Sequence, residues 1–145
     1  MSLRQAARRV SNFYDAMLSP AGLRATQYSI LAVLHRLGGA SINDLASRLD
    51  LDRTTTGKNM RPLTTARLIE ICPSPTDGRS RVVRLTPQGA ARLAAARPLW
   101  RRAQQQFERA NGVALSRSLR RTLSGLSVQA EPAKPPRARP GARPT

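Results

Sequence analysis

Residues 41–63 most constrain the fold of this chain, because they have the pattern of two short helices joined by a tight turn. Ser41 is a good N-cap, Asp44 stands three residues on as its capping-box partner, and apolar residues follow at helical spacing: Ile42, Leu45, Ala46 and Leu49. Residues 50–51 form the turn, and Asp52 can cap a second helix. The pattern is typical of a helix-turn-helix.

The predicted second helix has two chemically different faces. At about 100° per residue, three side chains share one face and are expected to pack inward: Thr56, Met60 and Leu63. The roughly opposite face carries hydroxyls and cations: Thr54, Thr55, Lys58, Arg61 and Thr65. Such side chains reach base edges and phosphates when a helix lies in a DNA major groove. An ordinary helical hairpin with a solvated polar face is the alternative.

A β-hairpin is predicted directly after the second helix. Ile69–Cys72 forms one candidate strand, a loop rich in turn residues covers 73–80, and residues 81–86 alternate like a half-buried strand. A helix-turn-helix followed by a basic hairpin is a winged helix, with the wing beside the recognition helix. We therefore expect a mainly α fold with a small β-hairpin wing and a winged-helix core at about 23–87.

Three motifs in this region resemble the MarR family of bacterial transcriptional regulators: Leu45-Ala-x-x-Leu-Asp-Leu-Asp-Arg-Thr-Thr55, Asn59-Met-Arg-Pro-Leu63 and Asp77-Gly-Arg-Ser-Arg-Val-Val-Arg-Leu-Thr-Pro-Gln-Gly89. The resemblance covers residues 3–126. It implies a homodimeric regulator of double-stranded DNA with an inverted-repeat operator, a repressor more than an activator, and a response to a small aromatic effector. Two residues depart from the family pattern. Gly57 stands where relatives usually carry Thr, and Arg67 stands where they usually end the helix with Gly.

The predicted DNA-binding residues differ in role. Direct readout of bases is expected from three side chains of the second helix: Thr54, Thr55 and Lys58. Arg53 and Arg61 would mainly hold phosphates and register. On the wing, Arg79 is expected to enter the minor groove, and Arg81 follows on the second strand. As in the family, Asp77 would pair with Arg79 and fix its direction, with a simple turn-forming aspartate as the alternative.

Further helices are expected at both ends of the chain. Ser2 with Gln5 matches a capping box and predicts a helix over about 2–19. Thr86 followed by proline begins a long helical pattern, and a leucine stripe extends it, so dimerisation helices are expected over about 87–127. By resemblance, the subunits would meet through Val10, Tyr14, Leu119, Leu123 and Leu126. Packing of the leucine stripe into the core of its own chain is the alternative.

The formal net charge of +17 favours a polyanionic partner, nucleic acid before membrane. Residues 1–128 hold 21 Lys/Arg against 7 Asp/Glu, so most of the excess belongs to the expected MarR-like domain. Residues 129–145 are rich in proline and cations and are expected to form a disordered basic tail. The charge also suits a second hypothesis, a protein that coats DNA or binds RNA without sequence readout.

The pattern does not suggest an enzyme, a cofactor or a metal site. The chain has one His and one Cys, no close pair of carboxylates with a general base, and no Gly-rich phosphate loop. It has no apolar run long enough to span a membrane, and its first residues lack the apolar segment of a signal peptide. We therefore expect a cytoplasmic protein.

Three aromatic side chains are candidates for lining an effector pocket: Tyr28, His35 and Trp100. The family places its pocket where the dimerisation helices meet the winged-helix core. For each of the three, packing in the core is the alternative. Cys72 is interpreted as a small packing residue.

Overall fold

The structure is a computed structural model that describes residues 2–126. It contains, in chain order, α1 (Leu3–Leu18), α2 (Ala25–Leu37), α3 (Ile42–Arg48), α4 (Arg53–Thr65), β1 (Ile69–Pro73), β2 (Arg81–Leu85), α5 (Pro87–Asn111) and α6 (Val113–Ser124). A single turn of 3-10 helix, Ser19–Ala21, follows α1. The predicted fold class is confirmed, a mainly α chain with a two-stranded antiparallel hairpin. The predicted tail at 129–145 lies outside the described residues.

Local capping determines where four of the helices begin. In each, the cap oxygen accepts the N–H of the residue three positions later: Ser2 from Gln5, Ser41 from Asp44, Asp52 from Thr55 and Thr86 from Gly89. These contacts satisfy N–H groups that have no partner inside the helix. Because all four caps are local in sequence, they predicted the four boundaries.

Helix α2 begins through a contact from another helix. The backbone N–H of Ala25 donates to Oδ1 of Asp15 on α1 at 2.8 Å, and Gln27 Oε1 accepts the N–H of Arg24 at 3.0 Å. The other end is local, since Gly38 caps α2 with a φ of 72°. That left-handed conformation is one that glycine adopts without steric cost.

One apolar core joins α2 to the helix-turn-helix, the hairpin and α5. Its fully buried apolar side chains come from six elements: Leu18, Ile30, Leu31, Leu34, Leu45, Leu63, Val83 and Leu93. Helix α2 supplies three of them and lies at the centre of the winged-helix core. Helix α5 continues through Pro98 and packs against α1, α2 and α6.

The chain leaves α4 through a left-handed residue. Arg67 has a φ of 56°, and its N–H donates to the carbonyl of Thr64 at 3.0 Å. The N–H of Leu68 then reaches back to the carbonyl of Leu63 at 2.9 Å, which satisfies a helix-end acceptor. An L-residue therefore takes a left-handed conformation that ordinarily favours glycine.

The wing is fastened to the segment that precedes α3. Strands β1 and β2 pair from Ile69 opposite Leu85 to Pro73 opposite Arg81. On the far side of β2, Val83 exchanges two backbone hydrogen bonds with Ala40, at 2.8 and 3.0 Å. The base of the hairpin is therefore held on both sides.

A close approach between α5 and the start of β1 requires a glycine at position 89. A Cβ built on Gly89 would lie 1.9 Å from the carbonyl oxygen of Leu68 and 3.1 Å from a methyl group of Leu85. Gly89 also donates its N–H to the cap hydroxyl of Thr86, so it cannot move away freely. Helix α5 can pack this closely only with glycine here.

We expect Gly89→Ala to lower the free energy of unfolding by about 2 kcal/mol or more, because the methyl group overlaps a fixed carbonyl. Gly57→Ala in α4 is the matched control, since a Cβ there meets no atom within 4 Å. That control should raise stability by roughly 0.5–1 kcal/mol through the helix propensity of alanine. Urea denaturation measures both changes. Equal stability of Gly89→Ala and the parent would contradict this packing.

Candidate nucleic-acid interface

Helix α4 has the two faces that the sequence predicted. Its inward residues are buried, with Thr56 at 0%, Leu63 at 2% and Met60 at 3% exposure. Four of the predicted outward residues are exposed: Thr54, Lys58, Arg61 and Thr65. Thr55 is half-buried and lies at the flank of the exposed face. The outer surface of α4 therefore offers hydroxyls and cations to a partner.

The N-terminus of α4 is closed by a carboxylate that binds one residue twice. Asp52 Oδ1 accepts the N–H of Thr55 at 2.7 Å, and Asp52 Oδ2 accepts the Thr55 hydroxyl at 2.5 Å. The side-chain and backbone hydrogen bonds from Thr55 lower the pKa of Asp52 below its ordinary value. Asp52 is therefore an ionised, acceptor-only group at neutral pH.

Arg53 is exposed and is held at the junction of the two helices. Its Nη1 donates to Oδ1 of Asn43 on α3 at 3.3 Å. Asn43 is not among the predicted DNA-binding residues, because its relation to Arg53 depends on how α3 and α4 cross. No local pattern in the sequence would have indicated it.

Pro62 has no N–H to donate to the carbonyl of Lys58, yet α4 continues to Thr65. Side-chain hydrogen bonds support the helix on either side: Asn59 Nδ2 donates to the carbonyl of Thr55, and the hydroxyl of Thr64 donates to the carbonyl of Met60. The exposed surface around the proline forms a shallow depression lined by Lys58, Arg61, Pro62, Thr65 and Ala66.

The wing tip is shaped by the carboxylate of Asp77. Its Oδ1 accepts the backbone N–H of Arg79 at 3.0 Å, and its Oδ2 accepts the hydroxyl of Ser80 at 3.2 Å. The predicted ion pair between Asp77 and the Arg79 guanidinium is not formed in this structure. The turn-forming alternative describes the contacts instead, because an Asx turn binds the backbone two residues on. Arg79 and Arg81 are exposed.

Within residues 2–126, the only side-chain ion pair joins Arg120 of α6 to Glu108 of α5. The cations of α4 and of the wing therefore form no salt bridge with the carboxylates of this described part of the chain. A phosphate backbone would meet them with their charge intact.

The terminal helices expose apolar side chains that a winged-helix core does not need. Val10 of α1 is 38% exposed, and on α6 or just after it the exposures are 39% for Leu119, 45% for Leu123 and 54% for Leu126. The alternative for the leucine stripe, packing in the core of its own chain, does not describe this structure. Ser116 is the α6 side chain that is buried.

The predicted dimerisation residue Tyr14 faces its own chain instead. It is 9% exposed, and its ring lies 4.8 Å from that of Trp100 and 6.5 Å from that of Phe107. Burial raises its pKa above the ordinary value, although the nearby Arg120 lowers it. Tyr14 holds α1 against α5, and helical spacing alone could not distinguish the two faces of α1.

Two of the three candidate effector residues are in contact. The rings of Tyr28 and Trp100 stack at 4.6 Å with an interplanar angle of 12°. His35 is exposed in the last turn of α2 and is not part of this stack. Burial raises the pKa of the Tyr28 hydroxyl, and the cations Arg97 and Arg101 lower it. The α2–α5 contact therefore contains an aromatic pair with guanidinium groups near its hydroxyl.

Residues 2–126 contain no group of three His, Cys, Asp or Glu side chains arranged to hold a metal ion. In the same part of the chain, no helix is both long and apolar enough to cross a membrane. Cys72 is half-buried on β1, opposite Val82.

Comparison with known proteins gives one family. The sequence model of the MarR family matches residues 21–80, which include the helix-turn-helix, the first wing strand and the wing loop but not β2. No curated protein sequence shows significant similarity to the chain.

Solved structures with the same fold include regulators bound to DNA. The transcriptional regulator MosR of M. tuberculosis, in complex with DNA, is 33% identical, with 83% of this chain and 86% of that chain covered and a TM-score of 0.73. The transcriptional repressor CouR, bound to a DNA duplex, is 27% identical, with coverages of 84% and 87% and a TM-score of 0.76. A mutant of MarR from E. coli with operator DNA is 20% identical, with coverages of 84% and 88% and a TM-score of 0.75, which shows the fold.

Proposed function

The chain belongs to the MarR family of transcriptional regulators, and we propose that it is a sequence-specific repressor that binds an inverted-repeat operator as a homodimer. The exposed face of α4 carries this proposal. It presents Thr54, Lys58 and Arg61 on a helix whose opposite face is anchored in the core. A helix with this arrangement can enter a major groove without unfolding its own packing.

Phosphate contacts and base contacts would come from different residues. Arg53 stands at the start of α4 beside Asn43, where it can hold a phosphate and set register. Lys58 lies one turn further along and has only donors to offer, so it suits guanine O6 or N7 and thymine O4. The wing adds Arg79, whose cation suits the negative potential of a narrow minor groove.

A homodimer would supply two such helices with two-fold symmetry. The exposed apolar side chains of α1 and α6 form the proposed seam: Val10, Leu119, Leu123 and Leu126. Paired α4 helices about 34 Å apart would enter successive major grooves, with half-sites about 10 base pairs apart. Tyr14 would support the seam from inside the chain without forming it.

Repression is the simplest consequence of this binding mode, since a dimer on an operator excludes other proteins from the same DNA. CouR, one of the similar proteins, is a transcriptional repressor in complex with a DNA duplex. We extend the proposal to release by a small aromatic effector in the cytoplasm. The support for that extension is the Tyr28–Trp100 stack, which an aromatic ring could join or displace.

Sequence specificity can be tested by selecting sites from random DNA and comparing affinity for the selected site with affinity for random DNA at fixed salt. We expect the selected site to be an inverted repeat bound far more tightly than random DNA. A protein that only coats DNA would bind both with nearly equal affinity.

Arg79→Ala should weaken binding to the selected operator by about 1–3 kcal/mol and reduce the preference for A·T pairs beside each half-site. The guanidinium reads groove width and potential, which alanine cannot do. Arg102→Ala, at an exposed position on α5, makes the same change in net charge and is the matched control. Titration of labelled DNA measures both. If only the shared charge matters, the two variants will lose equal affinity.

Leu119→Asp with Leu123→Asp should abolish the dimer and high-affinity operator binding, because the seam would bury two unpaired carboxylates at a cost of several kcal/mol per subunit. The control adds two aspartates elsewhere on α6, at the exposed positions Ala114 and Ser124. Light scattering measures the oligomeric state, and circular dichroism checks that each variant is folded. A folded seam variant that stays dimeric and binds the operator normally would refute this seam.

Effector binding should change the fluorescence of Trp100, which is the only tryptophan in the chain. A phenolic or aromatic acid that enters the Tyr28–Trp100 contact should alter the emission and weaken operator binding over the same concentration range. Tyr28→Leu keeps an apolar side chain without the stacked ring and should abolish both effects. If no compound in such a panel changes the fluorescence or the operator affinity, the proposed release by an aromatic effector is refuted, and repression without such an effector is the better proposal.

A further inference from the structure

The hydroxyl of Thr55 already donates its proton to a hydrogen bond within the protein. It donates to Oδ2 of Asp52 at 2.5 Å, and Asp52 cannot donate in return because it is an ionised carboxylate. The same carboxylate is held in place by the backbone N–H of Thr55 at 2.7 Å. The orientation of the hydroxyl is therefore fixed by the cap of α4.

A threonine hydroxyl ordinarily has one proton to donate and two lone pairs to accept. Without the Asp52 contact, Thr55 could rotate and bond to either kind of base edge, so it would discriminate poorly. With its proton directed to Asp52, only acceptor capacity is left for DNA. Thr54, the neighbouring residue, is exposed and is not constrained in this way by the cap.

The two kinds of base edge in the major groove differ in this respect. Adenine N6 and cytosine N4 are amino donors, whereas guanine O6 and thymine O4 are keto acceptors. An acceptor-only hydroxyl can bond to the first pair and meets lone pairs on the second. Loss of one such hydrogen bond, with an acceptor facing an acceptor, corresponds to about 5- to 10-fold in affinity.

We propose that Thr55, with its proton held by Asp52, acts only as a hydrogen-bond acceptor towards DNA and selects an amino base, A or C, over a keto base, G or T, on the strand it contacts. This inference rests on the proposed sequence-specific function and assigns a chemical preference to one of its residues. Lys58, one turn further along α4, has the opposite preference because it only donates. Each half-site is therefore expected to have an amino base at the position that Thr55 contacts and a keto base at the position that Lys58 contacts.

The test measures affinity for the selected operator after each half-site base is replaced in turn by the other three. For the parent protein, one position should favour A and C over G and T by about 5- to 10-fold. Thr55→Val keeps the shape and the methyl group but removes the acceptor, so the ratio at that position should fall to about one. Thr55→Ser should restore it. The other positions should keep their preferences.

Asp52→Asn distinguishes the orientation of the hydroxyl from its mere presence. Asparagine also caps helices well, so α4 should remain folded. Its amide can donate to Thr55 and leave the hydroxyl proton free for a keto base. We therefore expect Asp52→Asn to reduce the amino-over-keto ratio although Thr55 is unchanged. Thr54→Val is the matched control and should leave the ratio at the Thr55 position intact.

The outcomes separate the two levels of the proposal. A protein that selects no operator from random DNA would refute both the proposed function and this inference. An operator that is bound specifically, but with no position where Thr55→Val removes an amino preference, would refute only the role of Thr55. An Asp52→Asn variant with the full parental ratio would refute the part played by the cap.

Discussion

The junction between α4, the wing and α5 is held by Thr86, whose hydroxyl forms a hydrogen bond across nineteen residues of sequence. The hydroxyl of Thr86 donates to the carbonyl of Arg67 at 2.6 Å while it accepts the N–H of Gly89 at 3.0 Å. Arg67 can present that carbonyl because it takes a left-handed conformation. One side chain therefore closes the end of α4, begins α5 and fixes the base of the hairpin between them. The position of the wing beside α4 follows from this contact.

Most of the acidic side chains in the described residues make contacts that stabilise the fold, and this leaves the positive charge of that part available. Of the seven Asp and Glu side chains in residues 2–126, four accept backbone N–H groups and one forms the ion pair with Arg120: Asp15, Asp44, Asp52, Asp77 and Glu108. A carboxylate that caps a helix or a turn stabilises the fold without neutralising a guanidinium. The same few residues therefore stabilise the helices and the wing tip, while the cations of α4 and the wing keep the surface potential there positive.

Features that depend on residues close in sequence could be predicted from the sequence. Features that depend on how distant elements pack together could not. Caps at Ser41 and Thr86 lie three residues from their partners, so helix boundaries and the two faces of α4 could be predicted. Tyr14 could not be assigned, because only the packing of α1 against α5 decides which side of α1 is buried. Asn43 was missed for the same reason. Arg79 offers two possible partners to the Asp77 carboxylate, its backbone N–H and its guanidinium. The hydrogen bond to the N–H forms, because the backbone is fixed in position whereas the guanidinium lies at the end of a long and mobile side chain.

Helix α5 connects the two parts of the molecule on which the proposed function depends. Its first turn is bound to the end of α4 through Thr86, and its later turns carry Trp100 and support α6, whose leucines form the proposed seam. Both parts are therefore joined by one continuous helix of 25 residues. In a dimer, the spacing of the two α4 helices would therefore be set by how α1, α5 and α6 meet their partners. Trp100 lies on α5 between the proposed seam and the end of α4. A ring inserted beside Trp100 would therefore displace the helix that connects these two regions.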